Sequence, residues 1–178
     1  THHVLAKAGL DAGCAGNVGD SFARMVALDP KPYYVLEVSS FQLDDIRSFR
    51  PHIAVLTNIT PDHLDRYDYE LRNYADAKFR VAENQTPSDH FIWCMDDPIT
   101  AEILPEKYIK AQVHGFSYDK LLGSVAWVEH NEIRLAMNLD HSAYSIDVMT
   151  LQGRHNMYNT MAAAVVGSIL ELRKDKIR

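Results

Sequence analysis

The chain has 178 residues, 47% of them hydrophobic and 24% charged, which suits one globular domain with a sizeable core and excludes disorder, collagen and a disulfide scaffold. Its 18 Lys and Arg against 24 Asp and Glu give a formal net charge of −6, so neither nucleic acid nor an anionic membrane is expected as a general partner. No apolar run approaches the ~18 residues of a membrane span, and the amino terminus lacks a secretory pattern, so a cytoplasmic setting is expected.

Residues 1–9 read as the last turns of a helix stopped at Ala8-Gly9, which raises the expectation of a segment upstream. Gly16-Asn17-Val18-Gly19 is a glycine-flanked turn that can bring backbone close to a phosphate or carboxylate. A helix is expected over residues 21–28, and residues 33–38 (YYVLEV) form an apolar run broken only by Glu37. Helices over 41–49 and 70–84 alternate with further apolar runs at 53–56 (IAVL), 91–95 (FIWCM) and 112–116 (QVHGF). Runs apolar on both faces are strands of a parallel sheet covered by helices. The pattern changes near residue 123, where VAWV, IRLAM and YSIDVM read as a small antiparallel section within 123–150. Gly153 breaks it, and residues 157–174 close the chain as a helix with a cationic end. The expected fold class is therefore α/β, a mostly parallel sheet flanked by helices. Cys14 and Cys94 stand in no metal-binding or CxxC spacing and read as small core residues of a protein from a reducing compartment.

Four places carry chemistry. Glu37 puts a carboxylate at the carboxyl end of an apolar strand, where open α/β sheets hold their ligands. It is costly to bury unless it caps the next helix, pairs with an Arg or binds metal. Ser39 and Ser40 follow with hydroxyls. Residues 57–65 (TNITPDHLD) begin where the IAVL strand ends and supply two carboxylates and the His63 imidazole. That segment reads either as a Pro-containing turn with an Asp cap or as part of a site for a hard cation such as Mg2+. Lys78 falls mid-way along the apolar face of the 70–84 helix, between Tyr74 and Ala82. There it either snorkels to water or loses solvation and becomes nucleophilic. Asn156 and Asn159 share a face near a helix start, where they either cap it or read a heterocyclic edge such as adenine.

In their order and spacing, GNVG at 16–19, EVSSFQL at 37–43, TNITPDHLDRY at 57–67, YADAKFR at 74–80, Asp96-Asp97 and GRHNMYN at 153–159 resemble the Mur ligase family of bacterial cell-wall synthesis. SSFQL and NITPDHLDRY look most like the branch that adds D-glutamate to UDP-N-acetylmuramoyl-L-alanine. The resemblance implies a P-loop-type central domain of a cytoplasmic, monomeric, ATP-dependent ligase working through an acyl phosphate. It implies roles for Glu37, His63 and Lys78 as catalytic metal ligands for Mg2+, with Lys78 carbamylated. It also implies Asn17, Ser39 and Gln42 for the muramoyl-alanine substrate, and Asn156 with Asn159 for the adenine region of ATP. The family's G-x-x-G-K-[ST] loop is not in the sequence. Residues 1–178 are thus expected to be an incomplete central ATP-binding domain, without the phosphate loop, the amino-terminal UDP-binding domain or the carboxyl-terminal domain. Alone it is expected to be inactive, with a gap in the sheet where the strand feeding that loop belongs. Two other readings are another ligase of the superfamily, such as a folylpolyglutamate synthase, and a non-catalytic nucleotide- or metal-binding module.

Overall fold

A computed structural model gives the fold and describes residues 1–137, 140–148 and 153–173. Helix α1 (His2–Lys7) leads into strand β1 (Ala12–Gly16), helix α2 (Phe22–Leu28) and strand β2 (Tyr33–Glu37). Helix α3 (Ser40–Asp44), strand β3 (Ile53–Leu56), helix α4 (Leu71–Phe79), strand β4 (His90–Cys94), helix α5 (Pro98–Ile103) and strand β5 (Gln112–Phe116) continue the alternation. Strands β6 (Ser124–Glu129), β7 (Glu132–Met137) and β8 (Asp140–Ser145) follow, and helix α6 (Arg154–Ile169) packs last. The α/β class and the small antiparallel section hold: β3 to β6 pair in parallel, and β6 to β8 pair antiparallel. The expected ends of that section and of the last helix, at Met149, Thr150 and Lys174, lie outside the described residues.

The sheet rests on two cores, one on each face. Along β4, Phe91 packs with Tyr74, Phe79 and Ile103 on the α4 side, while Ile92 packs with Phe116, Leu135 and Met161 on the α6 side. Both are fully buried, as expected for a central strand whose successive side chains point to opposite faces. Helix α6 reaches this sheet closely because Ala162, Ala163 and Ala164 are small and all buried. Buried Cys94 belongs to the same core, and burial pushes its thiol up to about 11. Cys14, by contrast, is exposed rather than a core residue.

The strands do not form one sheet. β1 and β2 pair in parallel as a two-stranded unit, and β3 to β8 form a six-stranded sheet. Between the facing edges of β2 and β3 lies a cavity of about 710 Å3, lined by Tyr33, Val35, Ile53, Val55, Val166 and Leu170 among others. Two strands pair only when about 4.8 Å apart, and these edges lie on opposite walls of a cavity instead. The expectation of a gap in the sheet thus meets a cavity bounded by one strand from each of two parallel pairs, β1 with β2 and β3 with β4.

Candidate functional site

The carboxyl rim of β1 and β2 is held by one close approach. Gly16 sits at φ +124, and a Cβ there would come within 2.1 Å of the Glu37 carbonyl oxygen. Only glycine fits, and the backbone N–H of Asn17 then donates to that same carbonyl at 2.8 Å. The turn closes when Gly16 N–H donates to the Asp20 carbonyl at 3.1 Å. This places exposed Asn17 directly over the end of β2. Glu37 is itself exposed, so the cost of a buried carboxylate does not arise for it.

Two residues later the chain turns into α3. The side-chain oxygen of Gln42 accepts from the Ser39 backbone N–H at 2.9 Å and from the Ser39 hydroxyl at 3.0 Å. Ser39 and Gln42, both expected at substrate, therefore act first on each other as a helix cap. Any contact of Gln42 with a ligand falls to its amide nitrogen.

The segment after β3 lines the cavity with Thr57 and Asn58 and is anchored by buried Ile59. At His63 the backbone is left-handed, φ 49, and opens a short 3-10 turn over Leu64–Tyr67. Asp62 stabilises it by accepting from the His63 backbone N–H at 2.9 Å, and the Asp62 carboxylate stands 3.6 Å from Nε2 of His63. The exposed imidazole meets Phe41 of α3 edge-on, at 5.9 Å between ring centres.

Lys78 projects from α4 as its wheel predicts. It is half-buried, its Nζ lies 4.9 Å from the centre of the Tyr74 ring, and it lines the same cavity as Glu37, Thr57 and Asn58. The structure thus brings Glu37 and Lys78 to one cavity, while His63 stands beside Phe41 and is not part of its lining. Among the described residues no three His, Cys, Asp or Glu side chains are grouped to hold a metal ion.

Asn156 is not a cap. Gly153, at φ +98, precedes the first turn of α6, and Asn156 lies inside that turn, its carbonyl accepting from the Thr160 hydroxyl at 2.7 Å. Asn159 is exposed one turn on. This end of α6 meets the carboxyl end of β4: Asp96 accepts from the Tyr158 hydroxyl at 2.8 Å and the Tyr118 N–H at 2.6 Å. Asp97 caps α5 by accepting from Thr100 N–H at 2.9 Å. The Asp96-Asp97 pair is therefore structural.

Residues the sequence reading missed hold α3 and its exit in place. Asp44 accepts from the Tyr67 hydroxyl at 3.0 Å and from Arg66 at 3.4 Å. Arg80 donates to the carbonyls of Asp44 and Ile46, and Asn84 donates to those of Arg47 and Phe49 at 3.1 and 3.0 Å. An Arg and an Asn on the polar face of the expected 70–84 helix, which here fall just past the end of α4, are indistinguishable from solvated residues until the chain between α3 and β3 is seen folded against them.

The Mur ligase middle domain family model matches residues 15–167. The UDP-N-acetylmuramoylalanine--D-glutamate ligase of Christiangramia forsetii is 46% identical over 99% of the chain, and that of Bacteroides fragilis is 45% identical over the same share. The corresponding ligase of Salinibacter ruber is 37% identical over the whole chain. The chain spans about 40% of the length of these relatives. Among solved structures, MurF from Acinetobacter baumannii aligns over 99% of this chain and 41% of its own, with a TM-score of 0.71 at 17% identity. MurF from Thermotoga maritima in complex with ADP aligns over 99% of this chain and 44% of its own, with a TM-score of 0.66 at 13% identity. By sequence, this chain belongs to the Mur ligase family, within its middle domain.

Proposed function

We propose that this chain is the middle domain of an ATP-dependent ligase that joins D-glutamate to UDP-N-acetylmuramoyl-L-alanine in peptidoglycan synthesis. The reading is supported by relatives of that name at 37–46% identity. It is carried structurally by one observation: Glu37, at the carboxyl end of β2, and Lys78 line the same cavity between β2 and β3. Phosphate in such folds is met at the carboxyl ends of strands. The reaction is an acyl phosphate route, in which ATP phosphorylates the substrate carboxylate, the D-glutamate amine attacks it and phosphate leaves.

The donors on the cavity wall fit Mg2+. Glu37, Thr57 and Asn58 present oxygen, the ligand a hard cation prefers. Glu37 would hold one ion, and His63 with a carbamate on Lys78 a second. Bound Mg2+ supplies neutralisation of charge on the phosphoryl group as it transfers. Lys78 is suited to carbamylation because an amine resting half-buried against Tyr74 is not fully solvated. Its product is an anion that a divalent cation stabilises. Asn17 and Ser39, set over the end of β2, bind the muramoyl-alanine portion together with Gln42. Asn156 and Asn159 meet adenine at the start of α6.

In the longer protein, the cavity between β2 and β3 receives the strand that leads to a phosphate-binding loop, and separate domains bind the UDP and glutamate moieties. The enzyme works as a cytoplasmic monomer. Among the described residues no helix is long and apolar enough to cross a membrane. The test is phosphate release by the full-length protein given ATP, Mg2+ and UDP-N-acetylmuramoyl-L-alanine with D-glutamate, L-lysine or L-alanine in turn. Release with D-glutamate alone is expected. Equal release with another amino acid would assign the chain to a different branch of the family, and none with any would point to a non-catalytic module.

A further inference from the structure

Near the amino ends of β3 to β5 three histidines meet, of which His52 also lines the cavity between β2 and β3. His90 begins β4 and His114 lies in β5, and their facing ring nitrogens, Nδ1 of His90 and Nε2 of His114, are 3.0 Å apart. The two ring planes lie within 28° of each other with centres 5.2 Å apart, and His52, just before β3, meets His90 edge-on at 5.4 Å. Both members of the pair are half-buried. Of the neighbouring charges, Asp89 is already taken up: its carboxylate accepts from Arg50, from Thr86 and from His52. Past the end of α6, which packs on this face of β4 and β5, the next charged residues are Glu171 and Arg173. Burial first, and then the neighbouring imidazoles, hold both histidines below the ordinary histidine range.

An N–H···N bond between two imidazoles has room for one proton between the facing nitrogens. With both rings neutral, or with one cationic, the bond stands. With both cationic, two N–H groups face each other across 3.0 Å, the bond is lost and two like charges share a half-buried space. The same end of the sheet carries two backbone links between strands: His90 N–H donates to the His52 carbonyl at 2.9 Å, and Gln112 N–H donates to the Asp89 carbonyl at 2.9 Å.

We propose that His90 and His114 form an acid-released latch, one shared proton clamping the amino ends of β4 and β5 together at neutral pH and a second proton opening them. Asp89, held by Arg50, stays ionised in that range; its charge favours a cationic His90, but by less than burial and His52 disfavour it. The latch is independent of the proposed ligase activity, since neither ring lines the cavity that holds Glu37 and Lys78.

The experiment is hydrogen–deuterium exchange by mass spectrometry on the full-length protein between about pH 4.5 and pH 8. It reads the imidazole carbons of His90 and His114 together with backbone amides of residues 88–94 and 111–116. The two histidines are expected to titrate in separate steps, the second below the ordinary histidine range. Intrinsic-rate-corrected amide exchange in those two segments should rise about ten-fold or more across that second step, and revert on neutralisation. In His114→Gln, whose side-chain oxygen accepts from His90 without taking up a proton, the acid step in amide exchange should vanish. His90→Gln provides the same test from the other side. Ordinary, simultaneous titration of both rings would overturn the latch. So would amide protection unchanged across the second step, or an acid step of equal size in both variants.

Discussion

The backbone N–H of Asn17 donates to the carbonyl of Glu37 at 2.8 Å, tying the turn after β1 to the tip of β2. The contact exists because Gly16 carries no side chain where the two strands end. Residue type, backbone conformation and site geometry are thus fixed together at one position.

Gly16→Ala tests that link. Alanine at φ +124 is strained, and its methyl group would enter the space of the Glu37 carbonyl. The expected cost is about 2–3 kcal/mol in denaturant unfolding, with Glu37 displaced and turnover of the full-length enzyme lowered in parallel. Unchanged stability would mean that β1 and β2 separate freely at this rim.

Asp89 links Arg50, Thr86 and His52 just before the amino end of β4, with its side chain only 3% exposed. The Arg50 guanidinium holds this carboxyl well below the usual carboxylate range. A carboxylate lowered in the folded state adds stability that is complete above its unfolded value, near pH 4, and drains away as pH falls through the folded one. Asp89→Asn should therefore cost about 3 kcal/mol at pH 7 and much less at pH 2, as measured by urea unfolding at both.

Arg80 reaches across from the end of α4 to the carbonyls of Asp44 and Ile46. Arg80→Met removes both charged hydrogen bonds and should destabilise the fold by about 1.5–3 kcal/mol. Because α3 carries Ser39 and Gln42, the affinity for the muramoyl substrate should fall in the same variant, and binding calorimetry on the full-length protein measures it. A stability loss with unchanged affinity would confine Arg80 to a structural role.

Much of this fold is legible in sequence. The IAVL and QVHGF runs are β3 and β5 to the residue; IAVL is apolar throughout, as a strand covered on both faces requires, whereas β5 is buried only towards its carboxyl end, with Gln112 and Val113 exposed. The expected helix at 41–49 stops at Asp44, since its far half spends its carbonyls on Arg80 and Asn84 rather than on helix hydrogen bonds. Lys78 was legible from its place on an apolar helix face. The exposure of Glu37 was not, because an apolar strand does not reveal which of its ends opens to solvent. The capping partnership of Ser39 with Gln42 was written in the S-x-x-Q spacing but stood behind a substrate role.

The isolated 178 residues should show no ligase turnover. The chain spans about 40% of its relatives, and the two cavity walls that carry Glu37 and Lys78 are not bridged by a paired strand. Phosphate release at the full-length rate from the isolated domain would contradict this.

The most direct measurement is the turnover number of the full-length protein with Glu37→Gln and with Lys78→Met, each at saturating ATP, Mg2+, UDP-N-acetylmuramoyl-L-alanine and D-glutamate. If the two side chains share one phosphate-handling cavity, each variant loses at least about 100-fold in kcat, with thermal stability close to that of the parent. Wild-type turnover in either variant would contradict the account.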